Sequence, residues 1–163
     1  MLAAIAVARY DNNRANARSN HLMGGRDPLL TDREGILGEY VFGQLTGLPV
    51  DLETEYDTPP VHDFLLPFGD TLDIKTTRYK SGGLMAVTKK MYPDHLCDWY
   101  GLVTATSWAD PRDCPTGTFR GGMGAETYFC YSHWKEVRPG RWGFHVEQRE
   151  LIQPEEFMRL TGL

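Results

Sequence analysis

Two acids and a lysine lie close together in the segment VHDFLLPFGDTLDIKTTRY, residues 61–79. Asp63 precedes an apolar run, and Asp73 and Lys75 form an Asp-x-Lys triplet in the run that follows. Carboxylate oxygens are the ligands that hard divalent cations prefer, and a nearby ammonium can stabilise the negative charge of a phosphate. The segment therefore predicts a divalent-metal site, provided that the fold brings the two acids together.

The turn between the two runs decides whether the acids meet. Residues 67–69, Pro-Phe-Gly, suit a three-residue hairpin loop, with proline early in a type I turn and glycine in the left-handed position after it. Counting outward from this loop pairs Leu66 with Asp70 and sets Asp63 opposite Asp73, with the Cβ atoms about 5 Å apart. Asp70 then projects to the other face, where turn chemistry explains it.

The same register divides the hairpin into a polar face and an apolar face. Lys75 joins the two acids on the polar face, and four residues fall on the opposite face, where burial is expected: Phe64, Leu66, Leu72 and Ile74. Like charges opposite each other destabilise a sheet unless a positive group lies between them, and a hard cation is the usual remedy. The alternative is a solvated polar face on which Lys75 offsets one acid, and a register slip of one residue would separate the acids.

The element that could supply a third carboxylate is the helix before the hairpin. A capping box at residues 31–34 predicts its start, Gly47 predicts its end, and its apolar stripe comprises Leu37, Val41, Leu45 and Leu48. Glu39 lies at the margin of that stripe, where its side chain could reach over the edge of the sheet. The alternative for Glu39 is an ordinary exposed helical glutamate.

The remaining elements are expected to complete one α/β domain. An N-terminal helix extends to about residue 21. Strands are predicted at residues 84–88, 99–107, 127–134 and 141–148, a long glycine-rich loop at residues 108–126, and a last short helix from Pro154. We divide the domain into an N-terminal basic helix and loop, a central core and a C-terminal part: residues 1–30, 31–108 and 109–163.

Charge is distributed unevenly along the chain, whose net charge is −5. Residues 34–73 carry nine acids and no Lys or Arg, whereas residues 74–98 carry five basic side chains against two acids. This pattern suits a metal site beside a polyanion groove, and it also suits an acidic protein that binds no nucleic acid. The candidate phosphate contacts are Arg14 and Arg18 on the basic N-terminal helix, which also carries Arg9, and Arg78 and Lys80 just past the hairpin acids. The alternative is that these side chains are simply solvated, on an exposed helix face and at a strand end.

Composition limits the cellular setting. The chain has 163 residues, enough for one domain with a real core. Its apolar start, residues 2–8, is too short to span a membrane, and its three cysteines form no CxxC pair. The sequence therefore predicts a cytoplasmic protein without a disulfide framework, a zinc site or a membrane segment.

The order of these features resembles the PD-(D/E)XK nuclease superfamily, and its small phage-type members in particular. The residues that carry the resemblance follow one another as in that family's active-site pattern: Glu39, Asp63 and the triplet Asp73-Ile74-Lys75. The likeness covers residues 31–108, including a GxxGE-type helix segment at residues 35–39. The pattern departs at His62, where the family has proline, and at the second acid, which is aspartate where many members have glutamate.

The resemblance implies a restriction-endonuclease-like core, with a central mixed sheet of about four to six strands flanked by helices. It implies hydrolysis of DNA phosphodiester bonds with Mg²⁺, for which Mn²⁺ would substitute. Asp63, Asp73 and the backbone carbonyl of Ile74 would coordinate the metal. Glu39 would reach the metal directly or through water, and Lys75 would orient the attacking water or stabilise charge on the phosphate.

Two other functions remain open at this point. The first is a catalytically silent module with the nuclease fold that binds nucleic acid or a protein partner. The second is a structural protein in which the hairpin is an ordinary sheet element of an assembly. A homodimer and a phage origin are also left open by the sequence.

Overall fold

Helices pack beside two β-sheets in the computed structural model, which describes residues 2–15, 27–54, 62–86, 97–105 and 116–163. The helices are α1 Leu2–Ala15, α2 Pro28–Thr46, α3 Ala125–Tyr128 and α4 Pro154–Thr161. The strands are β1 Phe64–Leu65, β2 Thr71–Thr77, β3 Leu84–Ala86, β4 Trp99–Ala105, β5 Gly117–Gly124, β6 Trp134–Arg138 and β7 Arg141–Val146. Among the described helices, none combines the length and the apolar character that crossing a lipid bilayer requires.

The larger sheet is mixed and has four strands in the order β1-β2-β4-β5. β2 and β4 run parallel, whereas the β1–β2 and β4–β5 pairs are antiparallel. The predicted α/β fold with a mixed sheet is therefore confirmed. The strand expected from Leu84 does begin there, but it belongs to a second sheet of three strands, β3-β7-β6. The predicted ends of three elements lie outside the described residues: 16–21, 87–88 and 106–107.

The larger sheet is buried on both faces, because alternate side chains of its strands enter different apolar clusters. On one face, Ile74 and Val103 pack with Phe42 of α2 and Phe157 of α4. On the other face, Tyr100 and Leu102 pack with residues of β3, β7 and α3. Cover on both faces fixes the orientation of β2, and with it the directions in which its polar side chains project.

Helix α2 begins one turn earlier than its sequence predicts. Asp27 is the N-cap, where its carboxylate accepts the Leu29 N–H at 3.0 Å, and Pro28 occupies the first turn. The predicted capping box at residues 31–34 is therefore wrong, because Asp27 followed by proline caps the helix first. The end is as predicted, since Gly47 has a φ of 76°.

The buried stripe of α2 also differs from the prediction. Ile36, Leu37 and Phe42 are buried, whereas Leu45, predicted to belong to the stripe, is 58% exposed. The cause is a close approach of the helix to β2, since a Cβ added at Gly38 would lie 1.8 Å from the Thr76 Oγ1. Gly38, rather than a full row of leucines, therefore sets this contact, whereas the buried Gly43 lies against Val50, which an added Cβ would approach to 2.3 Å.

The glycine-rich segment at residues 108–126 is not the long loop that its composition predicts. Its described part contains β5 and the start of α3, and residues 108–115 lie outside the described chain. Gly122 exchanges two backbone hydrogen bonds with Ile152, and an added Cβ there would lie 2.3 Å from the Phe157 ring. The glycines thus allow the chain around α4 to pack directly on a strand, so they signal close packing instead of a loop.

The aromatic run at residues 127–134 is likewise not the strand that its β-propensity predicts. Helix α3 and a 3₁₀ turn at Tyr131–His133 occupy most of it. Tyr128 and Phe129 enter the core, where their rings lie 5.0 and 5.3 Å from the ring of Tyr100. Core packing therefore overrides local propensity here. The turn at Gly140, with a φ of 71°, and the last helix from Pro154 are as predicted.

Replacing Gly122 with alanine should destabilise the protein by about 2–3 kcal/mol, because the added methyl overlaps the Phe157 ring and the Tyr100 carbonyl oxygen. Gly124→Ala is the matched control, since its Cβ would have no neighbour nearer than 3.8 Å. The measurement is urea unfolding of both variants. Equal stabilities would mean that β5 does not pack against α4 in this way.

Candidate active site

The β1–β2 hairpin has the register that its turn predicts. Its paired residues are Phe64 with Leu72 and Leu65 with Thr71. Gly69 has a φ of 93°, and its N–H donates to the Leu66 carbonyl at 2.9 Å, which closes the three-residue loop. The four residues of the predicted apolar face are all at most 4% exposed. The division of the hairpin into two faces is therefore confirmed.

Asp63 lies just before β1 and is joined to β2 by one backbone hydrogen bond and one side-chain hydrogen bond. Its N–H donates to the Leu72 carbonyl at 3.0 Å, and its Oδ2 accepts the Ile74 N–H at 2.6 Å. The paired residues of β1 and β2 end at Phe64 and Leu72, so the predicted pairing of Asp63 with Asp73 is not part of the ladder, although both acids line the same cavity. Because the Ile74 side chain is buried on the apolar face, this residue can contribute to a site here through its backbone.

A cavity of about 360 Å³ collects all four predicted catalytic side chains: Glu39, Asp63, Asp73 and Lys75. The backbone and side chains of α2 form one wall, and β2 forms the other. Glu39 reaches this cavity because the close contact at Gly38, its neighbour on α2, holds the helix against β2. Residues from separate parts of the sequence therefore meet as the Asp-x-Lys pattern predicts.

Two protein cations partner two of the three predicted catalytic acids, which line the cavity together with Asp32 and Glu34. The Lys75 ammonium lies 2.5 Å from the Asp73 Oδ2, and the Arg9 guanidinium lies 3.2 Å from the Glu39 Oε2. Asp63 instead uses one oxygen to accept the Ile74 N–H. The Asp73 side chain is 13% exposed, so its ion pair is shielded from water and stronger than a surface pair.

Burial, and after it the crowding of carboxylates, raises the pKa of two acids of the cavity. Burial raises the pKa of Asp63 well above its ordinary value, and the nearby charges of Asp73 and Glu39 raise it further. Burial also raises the pKa of Glu39, although Arg9 opposes that shift. For Lys75, burial lowers the pKa, but Asp73 and Asp63 outweigh it, so the net shift is upward and the ammonium stays charged.

The donor chemistry of the cavity fits a hard divalent cation. Among the described residues, no three His, Cys, Asp or Glu side chains are grouped closely enough to hold a metal ion. Two carboxylates suffice for Mg²⁺, which keeps several of its waters and binds one or two protein carboxylates together with substrate phosphates. Asp63 and Asp73 meet this requirement, and burial together with the neighbouring acids raises the pKa of Asp63, so a bound cation would favour its charged form.

Arg9 is the residue of this site that sequence reasoning missed. Besides Glu39, its guanidinium donates to the Asp51 carbonyl at 2.6 Å and to the Glu53 carbonyl at 3.0 Å. Arg9 therefore ties α1 both to the cavity and to the segment after α2. The basic stripe contained the signal, but a pairing that spans 30 positions has no local pattern to reveal it.

The other predicted phosphate contacts do not line the cavity. The Arg78 Nε lies 3.9 Å from the Glu34 Oε1, and its guanidinium carbon lies 5.3 Å from the centre of the Tyr79 ring. Lys80 is exposed at the turn after β2. The Arg14 side chain and the whole of Arg18 lie outside the described part of the chain.

Asp70 has a structural role, as its position after the turn predicts. Its Oδ2 accepts the Trp99 Nε1–H at 3.0 Å, which fastens the hairpin loop to β4. Asp98 holds the start of β2 in a similar way, since its Oδ2 accepts from both the N–H and the hydroxyl of Thr71. These two acids therefore stabilise the hairpin and lie apart from the cavity.

Asp63→Asn should stabilise the metal-free protein near neutral pH by about 1–2 kcal/mol. A raised pKa in the folded state means that folding favours the protonated acid, so wild-type stability falls as pH rises above the unfolded pKa. Asparagine stays neutral, so its advantage should vanish below about pH 4. The measurement is chemical unfolding across that pH range in the presence of a chelator.

Asp98→Asn is the control for this titration, because hydrogen bonds from Thr71 lower the pKa of Asp98. The sign is opposite: a lowered pKa stabilises the folded protein above the unfolded pKa, so this variant should be less stable than the wild type near neutral pH. If Asp63→Asn were also less stable there, the carboxylates would not be crowded.

Arg9→Ala should destabilise the protein by about 2–3 kcal/mol, because it removes the Glu39 ion pair and two carbonyl contacts. In the Glu39→Gln background the cost should fall by about 1 kcal/mol, which is the coupling between the two side chains. Arg9→Lys keeps the charge and should recover part of the loss. A coupling of zero in urea unfolding would contradict the pairing.

No protein-family model, curated protein or solved structure matches this chain. What the chain does must therefore be argued from the cavity itself.

Proposed function

We propose that this protein is a PD-(D/E)XK-type nuclease that hydrolyses DNA phosphodiester bonds with Mg²⁺, or with Mn²⁺ as a substitute. The observation that carries this proposal is the meeting of Glu39, Asp63, Asp73 and Lys75 in one cavity. The element order also supports a restriction-endonuclease-like core. A helix with Glu39 comes first, the hairpin with the acid pair follows, and the hairpin joins a mixed sheet.

Asp63 and Asp73 would hold the metal with the backbone carbonyl of Ile74. A bound Mg²⁺ would supply a more acidic water and positive charge for the scissile phosphate. The protein's own contribution is a fixed geometry, because the Asp63 Oδ2 is already bound to the Ile74 N–H, which orients the other oxygen. Such second contacts hold a ligand in place before the substrate arrives.

Lys75 is suited to stabilising negative charge on the phosphate. Asp73 and Asp63 raise the pKa of Lys75 against the effect of burial, so its side chain remains a charged ammonium at neutral pH. An ammonium has three N–H donors, so one can remain on Asp73 while another donates to a phosphate oxygen or to the attacking water. This double use explains why the lysine follows the second acid by two positions on the same face of β2.

Glu39 would act through water, because Arg9 binds its carboxylate at 3.2 Å. Because burial raises the pKa of Glu39, its carboxylate accepts a proton from water more readily than an exposed glutamate does. Arg9 lines the cavity beside Glu39 and limits that increase in pKa, so it tunes the proton affinity of Glu39.

A catalytically silent nuclease-fold module is the second candidate function. One observation favours it: Lys75 and Arg9 already bind Asp73 and Glu39, so the protein supplies much of the positive charge that these two acids require. Such a module would bind nucleic acid or a protein partner without turning it over. Its DNA binding would be insensitive to removal of the metal.

Cleavage of plasmid, single-stranded and branched DNA with and without Mg²⁺ or Mn²⁺ tests the proposal. We expect metal-dependent cleavage of at least one substrate, reduced about 100-fold or more in Lys75→Ala and in Asp73→Asn. Glu156→Gln, on the exposed face of α4, is the control and should cleave as the wild type does. No cleavage, or equal cleavage by Lys75→Ala, would refute the nuclease, whereas DNA binding without cleavage would favour the silent module.

A further inference from the structure

Gly38 of α2 and Thr76 of β2 form a close contact between the two walls of the cavity. A Cβ added at Gly38 would lie 1.8 Å from the Thr76 Oγ1, 3.0 Å from its Cβ and 3.2 Å from its Cγ2. The Thr76 side chain thus fills the space that any side chain in place of Gly38 would need. Glycine is among the least favourable residues in a helix interior, so this close approach is kept against local propensity.

The contact lies between residues of the proposed site. Glu39 follows Gly38 on α2, and Lys75 precedes Thr76 on β2. Glu39, Lys75 and Thr76 all line the cavity, and so does Asp73 on the β2 wall. The distance at which α2 approaches β2 therefore fixes how far the Glu39 carboxylate lies from the acid on the opposite wall.

The Thr76 hydroxyl indicates that this contact involves more than apolar packing. Its Oγ1 is buried and has no hydrogen-bond partner in the described part of the chain. A buried hydroxyl without a partner is destabilising, and valine would fill a similar volume in a strand without that cost. An oxygen atom is smaller than a methyl group, so threonine lets the helix come closer than valine would. Thr76 is therefore suited to a close approach of α2 rather than to maximal stability.

We propose that Gly38 and Thr76 are positioning residues, which hold Glu39 at its working distance from Asp73 by fixing the width of the cavity. Both act through Glu39 and touch neither the metal nor the substrate. The proposal rests on the proposed nuclease function, in which Glu39 reaches the metal directly or through water. A displacement of about 1 Å can lower a catalytic rate about 100-fold, so the shift that one added methyl group would force on α2 is large enough to matter.

The contact itself is tested by urea unfolding in a chelator, which involves neither metal nor DNA. Gly38→Ala should lower the urea midpoint, because its methyl group overlaps the Thr76 Oγ1. Gly35→Ala, on the same helix, is the matched control and should not lower the midpoint, since its Cβ would have no neighbour within 4 Å. In a Thr76→Ala background Gly38→Ala should lower the midpoint much less, whereas in a Thr76→Val background, which keeps the branched side chain, it should not be relieved.

The positioning role is tested by Mn²⁺ binding, followed through the electron paramagnetic resonance of free Mn²⁺. Gly38→Ala should weaken Mn²⁺ binding about 10-fold or more, as the loss of a group that orients a metal ligand does. In the Thr76→Ala background most of this loss should disappear. In the Glu39→Gln background Gly38→Ala should weaken binding less than about twofold, because the side chain that it displaces is already altered. Purely structural damage would lower the affinity by the same factor in both Glu39 backgrounds.

The two measurements separate this proposal from the nuclease proposal. If the wild type binds Mn²⁺ and Gly38→Ala binds it equally well, the positioning role is overturned and the nuclease stands. The same holds if the loss is equal in the Glu39→Gln background, or if Thr76→Ala does not relieve it. A wild type that binds no Mn²⁺ would refute the nuclease and the positioning role together, whereas the urea midpoints would still report whether Gly38 and Thr76 touch.

Discussion

The accumulation of three carboxylates beside β2 is the constraint on which the rest of the structure depends. Burial raises the pKa of Asp63 and of Glu39, and the charge of Asp73 raises both further, so these carboxylates favour a positive charge nearby. Lys75, on the same strand as Asp73, and Arg9, on α1, supply that positive charge. Much of the architecture around the cavity serves to hold these five groups at their distances.

This charge balance explains why α1 belongs to the domain core. The helix packs on α2 through a small apolar cluster that includes Leu2, Ala6 and Ile36. A contact of that size stabilises a helix only modestly, so the three contacts of the Arg9 side chain add substantially to its attachment. Stability at the N-terminus and proton affinity at Glu39 are thereby linked through one guanidinium.

The parts of the site that sequence predicts are those fixed by local geometry. The turn at Pro67-Phe68-Gly69 sets the register of β1 and β2, and the register sets the face of β2 that Asp73 and Lys75 occupy, whereas Asp63 lies one residue beyond the paired strands. The separate second sheet, the strand character of β5 and the role of Arg9 could not be predicted in this way, because each depends on partners far along the chain. Gly122 illustrates the reason. A side chain there would overlap the ring of Phe157, a contact with a distant part of the chain that no local pattern reveals.

The acidic cavity would pose an electrostatic problem for the polyanionic substrate of the proposed nuclease. The chain has a net charge of −5, and five acidic side chains line the proposed site of chemistry: Asp32, Glu34, Glu39, Asp63 and Asp73. Lys75 and Arg9 are the cations that line the same cavity, and each is already paired with an acid. Under the proposed function, bound Mg²⁺ would therefore have to supply the additional positive charge that holds a phosphate there.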